Sequence, residues 1–128
     1  MIPIFLFNLA SQQLRHLAER QAVISGNIAN ANTPGYRAQD VTPFREILDK
    51  TSLPLSATNG AHLDGGLRAE RVFKGKAAAA GETVHSGNSV SIEEQMMKAG
   101  DIARDQNLNT GVVKAFHRML MASTRSGQ

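Results

Sequence analysis

The sequence predicts a mainly α-helical protein, with long N- and C-terminal helices that pair as an antiparallel coiled-coil hairpin and an irregular, partly disordered middle segment. Apolar residues recur at alternating steps of three and four near the N-terminus, which is the a/d pattern of a coiled coil. A capping signal at residue 91 opens a second long helix, and residues 51–89 have little to bury. We therefore divide the chain into 1–36 (helix and turn), 37–89 (a linker with a short helix and a possible strand) and 90–128 (C-terminal helix).

The first helix is predicted over residues 4–31. Its a/d residues form a narrow seam rather than the broad stripe of a helix packed on a globular core. Gln21 is the one polar break in this seam. The apolar members of the seam are Phe7, Ala10, Leu14, Leu17, Ile24, Ile28 and Ala31.

A sharp turn is predicted directly after this helix, over Thr33-Pro34-Gly35-Tyr36. Pro at the second turn position presets φ, and Gly at the third accepts a positive φ, which is type II turn chemistry. Pro34 also pushes Thr33 out of the α region, so the helix must end before this residue.

The middle of the chain contains few structural signals. Residues 36–41 are predicted to be extended, and Thr42 followed by Pro43 predicts the start of a short helix. Beyond residue 51, Ser, Thr, Gly and Ala dominate, and residues 71–74 are the only plausible strand. We predict that this region adds little to a core.

The second long helix begins at a clear signal. Ser91 is the expected N-cap, and Glu94, three residues later, would complete a capping box. Two adjoining stripes follow: Ile92, Met96, Ala99, Ala103, Thr110, Val113 and Leu120 in one, and Leu108, Val112, Phe116 and Met119 in the other. Two stripes predict a helix that is contacted from more than one side.

The two helices are expected to meet through specific apolar residues. Leu17 and Ile24 occupy positions that should face a partner helix, and Val113 and Leu120 are the candidate partners on the C-terminal helix. We predict that the remaining apolar surface packs against neighbouring molecules, because the chain can build only a modest core.

The end of the first helix and its turn resemble the signature of bacterial flagellar rod and hook proteins. The matching residues are Asn27, Ile28, Ala29, Asn30, Thr33, Gly35 and Tyr36. Three further segments, residues 58–63, 86–96 and 119–120, are similar to the proximal rod proteins of the flagellar basal body. Ser86, where Asp is common, and Gln106, where an aromatic residue is usual, depart from that pattern.

The resemblance implies a structural subunit that polymerises into the periplasmic rod, the drive shaft that joins the inner-membrane ring to the distal rod and hook. The implied partners are other rod proteins, the inner-membrane ring with its rod-junction protein, and the flagellar type III export apparatus, together with self-association in a helical assembly. The residues expected to carry assembly are Leu14, Leu17, Ile24, Asn27, Ile28, Ala29, Asn30, Thr33, Pro34, Gly35, Tyr36, Val113, Phe116 and Leu120.

The sequence contains no arrangement typical of a catalytic or metal site. The four histidines are far apart, and none is spaced as a ligand pair on a helix. We expect His16 and His117 to lie on helix surfaces. Glu93 and Glu94 are explained by the helix cap and dipole. We therefore predict no enzyme activity, no cofactor and no metal.

Two other classes of protein remain open from the residues alone. A small DNA-binding regulator is one, but the formal net charge of +3 comes from scattered basic residues rather than one basic face. We therefore predict no nucleic-acid partner. A cytoplasmic helical adaptor or chaperone is the other. The apolar N-terminal stretch lacks the features of a signal peptide, so export would proceed without a cleaved signal.

Overall fold

The computed structural model describes residues 2–51, 75–77 and 83–125, with side chains for 5–49 and 83–125. In chain order, these residues form α1 (Ile2–Ala29), β1 (Gln39–Val41), α2 (Phe44–Thr51), β2 (Gly75–Ala77) and α3 (Ile92–Arg125). The predicted mainly helical fold with two long terminal helices is confirmed. The strand predicted at 71–74 and most of the predicted disordered segment lie outside the described residues.

The two long helices pair antiparallel, as predicted. Near the start of α1, the Phe7 ring meets the Phe116 ring edge to face, with 5.8 Å between ring centroids. Near the end of α1, the Asn27 amide lies 2.9 Å from the Gln95 side-chain oxygen at the start of α3. Because the start of one helix meets the end of the other at both places, the helices form a hairpin.

The apolar core lies midway along this hairpin. Leu17, Ile24 and Ile102 are 4%, 1% and 1% exposed and pack together, flanked by the half-buried Ile28 and Ala99. Leu17 and Ile24 therefore face the partner helix, as predicted. Fully burying such side chains stabilises a fold by about 1.5–3 kcal/mol each.

The predicted partners of Leu17 and Ile24 are wrong. Ile102 fills that place, whereas Val113 lies beside Phe7 and Leu120 lies further along α3. The cause is the antiparallel alignment: since Phe7 meets Phe116 and Asn27 meets Gln95, the middle of α1 faces the region around Ile102.

The buried line of α3 also differs from the predicted stripes. Gln95, Ile102 and Asn109 are the buried residues of this helix, and they recur every seven positions. Two of these three residues are polar, so the spacing of apolar residues does not predict this buried face of α3. Their amides form hydrogen bonds across the hairpin.

A short two-stranded sheet lies beside α1. β1 and β2 pair antiparallel, with Gln39 opposite Ala77, Asp40 opposite Lys76 and Val41 opposite Gly75. Val41 is buried. The extended segment predicted before residue 42 is thus a paired strand, so residues 71–74 were not the only strand candidate. α2 begins at Phe44, directly after Thr42-Pro43, as predicted.

Candidate assembly site

The turn after α1 has the predicted type II geometry. The Tyr36 N–H donates to the Thr33 carbonyl at 3.2 Å, and Gly35 has a φ of 73°. A Cβ built on Gly35 would meet nothing within 4 Å. Glycine is therefore required here by the backbone conformation and not by a lack of space.

This turn is tied to the segment that precedes α3. The Gly35 N–H donates to the Ser86 carbonyl at 3.0 Å, and the Ser89 N–H donates to the Tyr36 carbonyl at 3.1 Å. Gly87 also has a positive φ, 78°, and a Cβ there would lie 3.5 Å from the Gly35 Cα. We call these two connected segments, residues 33–38 and 84–90, the clasp.

Asn88 is the centre of the clasp. Its side chain is 1% exposed, and its Nδ2 lies 3.0, 2.9 and 2.8 Å from the carbonyl oxygens of Asn30, Ala31 and Thr33. Its Oδ1 accepts from the Val90 N–H at 2.7 Å. The three residues that supply these carbonyls directly follow α1, so Asn88, from the far half of the chain, holds the segment that leads from the helix into the turn.

Asn27 connects α1, β1 and α3. Its Nδ2 donates to the Gln39 carbonyl at 2.7 Å and to Gln95 Oε1 at 2.9 Å. Its Oδ1 accepts from the Gln39 N–H at 3.0 Å and lies 3.4 Å from the Tyr36 hydroxyl. The amide is fully buried and uses its whole hydrogen-bonding capacity, which explains why an asparagine fits this position.

The other three residues of the Asn-Ile-Ala-Asn stretch have different contacts. Ile28 packs against the core, and Ala29 is exposed. The Asn30 side chain donates to the Gly26 carbonyl at 2.8 Å and accepts from the Thr33 hydroxyl at 3.2 Å. This part of the signature therefore ends the helix and starts the turn.

A charged cluster joins α1, β1 and α3. The Arg20 guanidinium donates from Nε and Nη2 to the two carboxylate oxygens of Asp40, at 2.9 and 3.0 Å. The Lys98 ammonium lies 3.4 Å from the Asp40 carboxylate and 2.8 Å from the Glu94 carboxylate. Burial raises the pKa of Asp40, but hydrogen bonds from Arg20 and the Val41 N–H, with the nearby positive charges, outweigh it. The pKa of Asp40 therefore lies below its usual range.

The expectation that His16 lies on a helix surface is wrong. His16 is 4% exposed; its Nε2 lies 2.7 Å from the Thr42 carbonyl, and its ring lies 5.5 Å from the Phe44 ring. The segment from β1 to α2 folds back over this face of α1 and covers it. His117 is exposed, as predicted.

The start of α3 has half of the predicted capping box. The Glu94 N–H donates to the Ser91 hydroxyl oxygen at 3.3 Å, so Ser91 is the N-cap. The Glu94 carboxylate instead pairs with Lys98, and the Ser91 hydroxyl donates to Glu93 at 3.1 Å. Hydrogen bonds from the Glu93 backbone N–H and from Ser91 lower the pKa of the Glu93 carboxyl.

The predicted assembly residues fall into three groups by burial. Leu17, Ile24 and Asn27 are buried within the chain, whereas Leu14, Ala29, Thr33, Pro34 and Gly35 are exposed. The half-buried members are Ile28, Asn30, Tyr36, Val113, Phe116 and Leu120. Most of these residues therefore contribute to contacts within the hairpin and the clasp, including the exposed Thr33 and Gly35.

Sequence reasoning missed several residues that organise the site. Asn88, Gln95, Ile102 and Asn109 are all buried, yet three of them are amides in segments read for apolar spacing. Gly87-Asn88, which ends three residues before the predicted N-cap Ser91, was the available signal for Asn88. Arg20 and Asp40 lie twenty residues apart in sequence, and no local pattern links them.

In residues 2–51, 75–77 and 83–125, no group of three His, Asp or Glu side chains is placed to hold a metal. None of the described helices has both the length and the hydropathy needed to cross a bilayer. The side chains brought together at the clasp hold polypeptide segments in place by hydrogen bonds.

The molecule is a helical hairpin that is closed at one end by the clasp and has exposed apolar side chains on its long helices. Such a surface is typical of a protein that packs against other proteins. A sequence model of the family described as flagella basal body rod protein matches residues 8–37, which contain the Asn-Ile-Ala-Asn stretch and the turn.

Curated relatives match much more of the chain. The flagellar basal body rod protein FlgB of Agrobacterium fabrum is 42% identical over 98% of this chain and 96% of its own length. FlgB of Bacillus subtilis is 33% identical over 71% of this chain and 74% of its own, and FlgB of Aquifex aeolicus is 32% identical over 70% and 68%. The chain belongs to the FlgB family of flagellar basal body rod proteins, which are structural proteins and not enzymes. This membership confirms the predicted resemblance and favours it over an adaptor or a DNA-binding regulator.

Proposed function

We propose that this chain is a proximal rod subunit that polymerises into the periplasmic shaft between the inner-membrane ring and the distal rod and hook. Membership of the FlgB family supports the place in the rod. The exposed apolar faces of the hairpin support the mechanism, which is packing of subunits and not catalysis.

The observation that carries this proposal is an outer stripe on α3. Leu108, Val112 and Met119 are 66%, 47% and 62% exposed. They lie four and seven residues apart, so they share one face of the helix. A contiguous exposed apolar face on a small protein marks a protein interaction surface.

The outer stripe continues into a groove between the two long helices. Leu6, Leu9, Leu108 and Val112 line this groove, whose volume is about 250 Å³. A helix of a neighbouring rod subunit laid along it would bury the stripe. A contact between two different faces of successive subunits, repeated without closure, generates a helical array.

The partners that follow from this place are other rod proteins and the inner-membrane ring with its rod-junction protein. We further propose that the chain reaches the rod unfolded through the flagellar type III export apparatus. The small apolar core around Ile102 is consistent with a fold that is readily opened for export.

Charge substitutions in the outer stripe test the proposal. Leu108→Asp with Val112→Asp should leave the hairpin intact, because neither side chain belongs to its buried core. The same changes should abolish rods, because a neighbour would have to bury two unpaired charges. Far-UV circular dichroism of the purified chain measures the first, and electron microscopy of basal bodies from the mutant strain measures the second.

The matched control is Asn107→Asp, which adds a charge on an adjacent, exposed position of the same helix. This variant should assemble rods normally. Normal rods in the Leu108→Asp, Val112→Asp strain would contradict the proposed packing surface. Loss of rods in both strains would show that α3 tolerates no added charge and would give the outer stripe no special role.

A further inference from the structure

The contact between α1 and α3 contains amide side chains as well as apolar ones. Asn27 donates to Gln95 Oε1 at 2.9 Å, and Asn109 donates to the Ala10 carbonyl at 3.0 Å. Asn27, Gln95 and Asn109 are 0%, 1% and 6% exposed, so both contacts are buried. They lie on either side of the apolar cluster around Ile102.

A third amide contact lies at the exposed edge. Gln106 donates to the Gln21 side-chain oxygen at 3.2 Å. Gln21 is the one polar break in the predicted seam of α1, and it therefore meets a polar residue of α3. Each polar interruption of the seam is matched across the hairpin.

The buried apolar residues of α1 do not by themselves define this alignment, which the clasp and the contact between the Phe7 and Phe116 rings also hold. Ala10, Leu17 and Ile24 are the buried apolar residues of α1, and they recur every seven positions. If α3 slid by one heptad toward the start of α1, Ile102 would lie between Ala10 and Leu17, again among apolar side chains. A slide the other way would carry Ile102 toward the end of α1 at Ala29.

The buried amides distinguish the two alignments. After the slide, Gln95 no longer faces Asn27, and Asn109 no longer reaches the Ala10 carbonyl. A buried amide that loses its partner disfavours the slipped alignment by about ten- to hundredfold. A single buried polar residue sets the register of coiled coils in the same way.

We propose that Gln95 and Asn109 are alignment determinants, whose buried amides select the register in which α3 pairs with α1. The inference concerns pairing within one chain and holds whatever assembly the chain enters. It assigns these two polar residues a role in specificity: together with the clasp and the contact between Phe7 and Phe116, they disfavour the slipped hairpin that the heptad repeat of α1 would tolerate.

Engineered cysteine pairs report the register through a short thiol crosslinker, because the chain contains no cysteine. Gln21→Cys with Gln106→Cys reports the observed alignment, since the two amides meet at 3.2 Å and the crosslinker replaces the length of the lost side chains. A direct disulfide would need the Cβ atoms about 3.5–4.5 Å apart, closer than in two glutamines that meet at their tips. Leu14→Cys with Gln106→Cys reports the slipped alignment, because Leu14 lies seven residues before Gln21. Each pair is placed in the full chain with and without Gln95→Met and Asn109→Leu, treated with the crosslinker at low protein concentration, and quantified as intramolecular crosslink by mass spectrometry.

In the otherwise unchanged chain, we expect the Gln21–Gln106 reporter to crosslink and the Leu14–Gln106 reporter to stay at background. With Gln95→Met and Asn109→Leu, the yield of the slipped crosslink should rise about tenfold or more. Asn107→Leu, the same kind of exchange on the exposed side of α3, should leave the slipped yield at background. A slipped yield that stays at background in the Gln95→Met, Asn109→Leu chain overturns the proposal.

A second variant keeps the test decisive if the double exchange lowers helix content by circular dichroism. Asn109→Leu alone retains the Asn27–Gln95 contact and removes the contacts of Asn109 with the Ala10 carbonyl and the Gln13 side chain. It should raise the slipped yield by a smaller factor. An unchanged slipped yield in this folded single variant also overturns the proposal.

Discussion

Replacing Asn88 with leucine should strongly destabilise the clasp. Asn88 contacts three carbonyls and the Val90 N–H, and it is 1% exposed. Two of those carbonyls, on Asn30 and Thr33, also accept backbone N–H groups of the turn. The exchange therefore leaves mainly the Ala31 carbonyl and the Val90 N–H without their partner.

Stranding a buried polar group costs about 1–3 kcal/mol, so these two groups give a loss of about 4 kcal/mol. That is a large part of the total stability of a small domain, about 5–15 kcal/mol. In urea, with an m-value of about 1–3 kcal/mol/M, the unfolding midpoint should fall by about 2 M or the cooperative transition should disappear.

The assay is urea unfolding of the purified chain, followed by circular dichroism. Asn107→Leu is the control, because Asn107 is exposed on α3 and the chemical exchange is identical. Its midpoint should change little. An Asn88→Leu midpoint within about 0.5 M of the unchanged chain would refute the view that this side chain holds the clasp closed.

Three further predictions follow from the core, the turn and the charged cluster. Leu17→Asp should abolish the rods seen by electron microscopy, because it places an unpaired charge in the core at a cost of several kcal/mol. Glu19→Lys on the exposed face should leave the rods intact. The reverse outcome would mean that the wrong face of α1 was assigned as buried. Gly35→Val should cost on the order of 1 kcal/mol or more, because Gly35 has a φ of 73°, and unchanged motility of this strain would argue against the turn. Since folding lowers the pKa of Asp40, the Asp40 carboxylate stabilises the fold at pH values above its usual pKa, and this contribution is lost as the pH falls below about 4. The unfolding free energies of the unchanged chain and of Asp40→Asn should therefore differ at pH 6 and converge in acid. A difference that does not change with pH would contradict the role of Arg20.

Local signals in the sequence were enough to predict the helices, the turn and one cap. The Pro34-Gly35 turn and the Ser91 cap depend on residues within four positions, so their chemistry can be read directly. The seam of α1 was also readable, since Leu17 and Ile24 are apolar and regularly spaced. These features were found because each depends on neighbours in sequence.

Features that depend on distant residues were not predictable in this way. The buried line of α3 was missed because Gln95 and Asn109 are polar, and their burial makes sense only once their partners on α1 are known. His16 was assigned to the surface because nothing near it in sequence shows that residues 41–44 cover it. Asn88 binds the carbonyls of residues that lie more than fifty positions earlier in the chain.

The most direct test of the whole account is a cryo-electron microscopy map of the basal body at side-chain resolution. It should show this chain in the proximal rod, with α1 and α3 of one molecule paired antiparallel and Ile102 between Leu17 and Ile24. It should also show a neighbouring subunit over the outer stripe. A rod in which this chain is absent, or in which α1 pairs with α3 of a different molecule, would contradict the account.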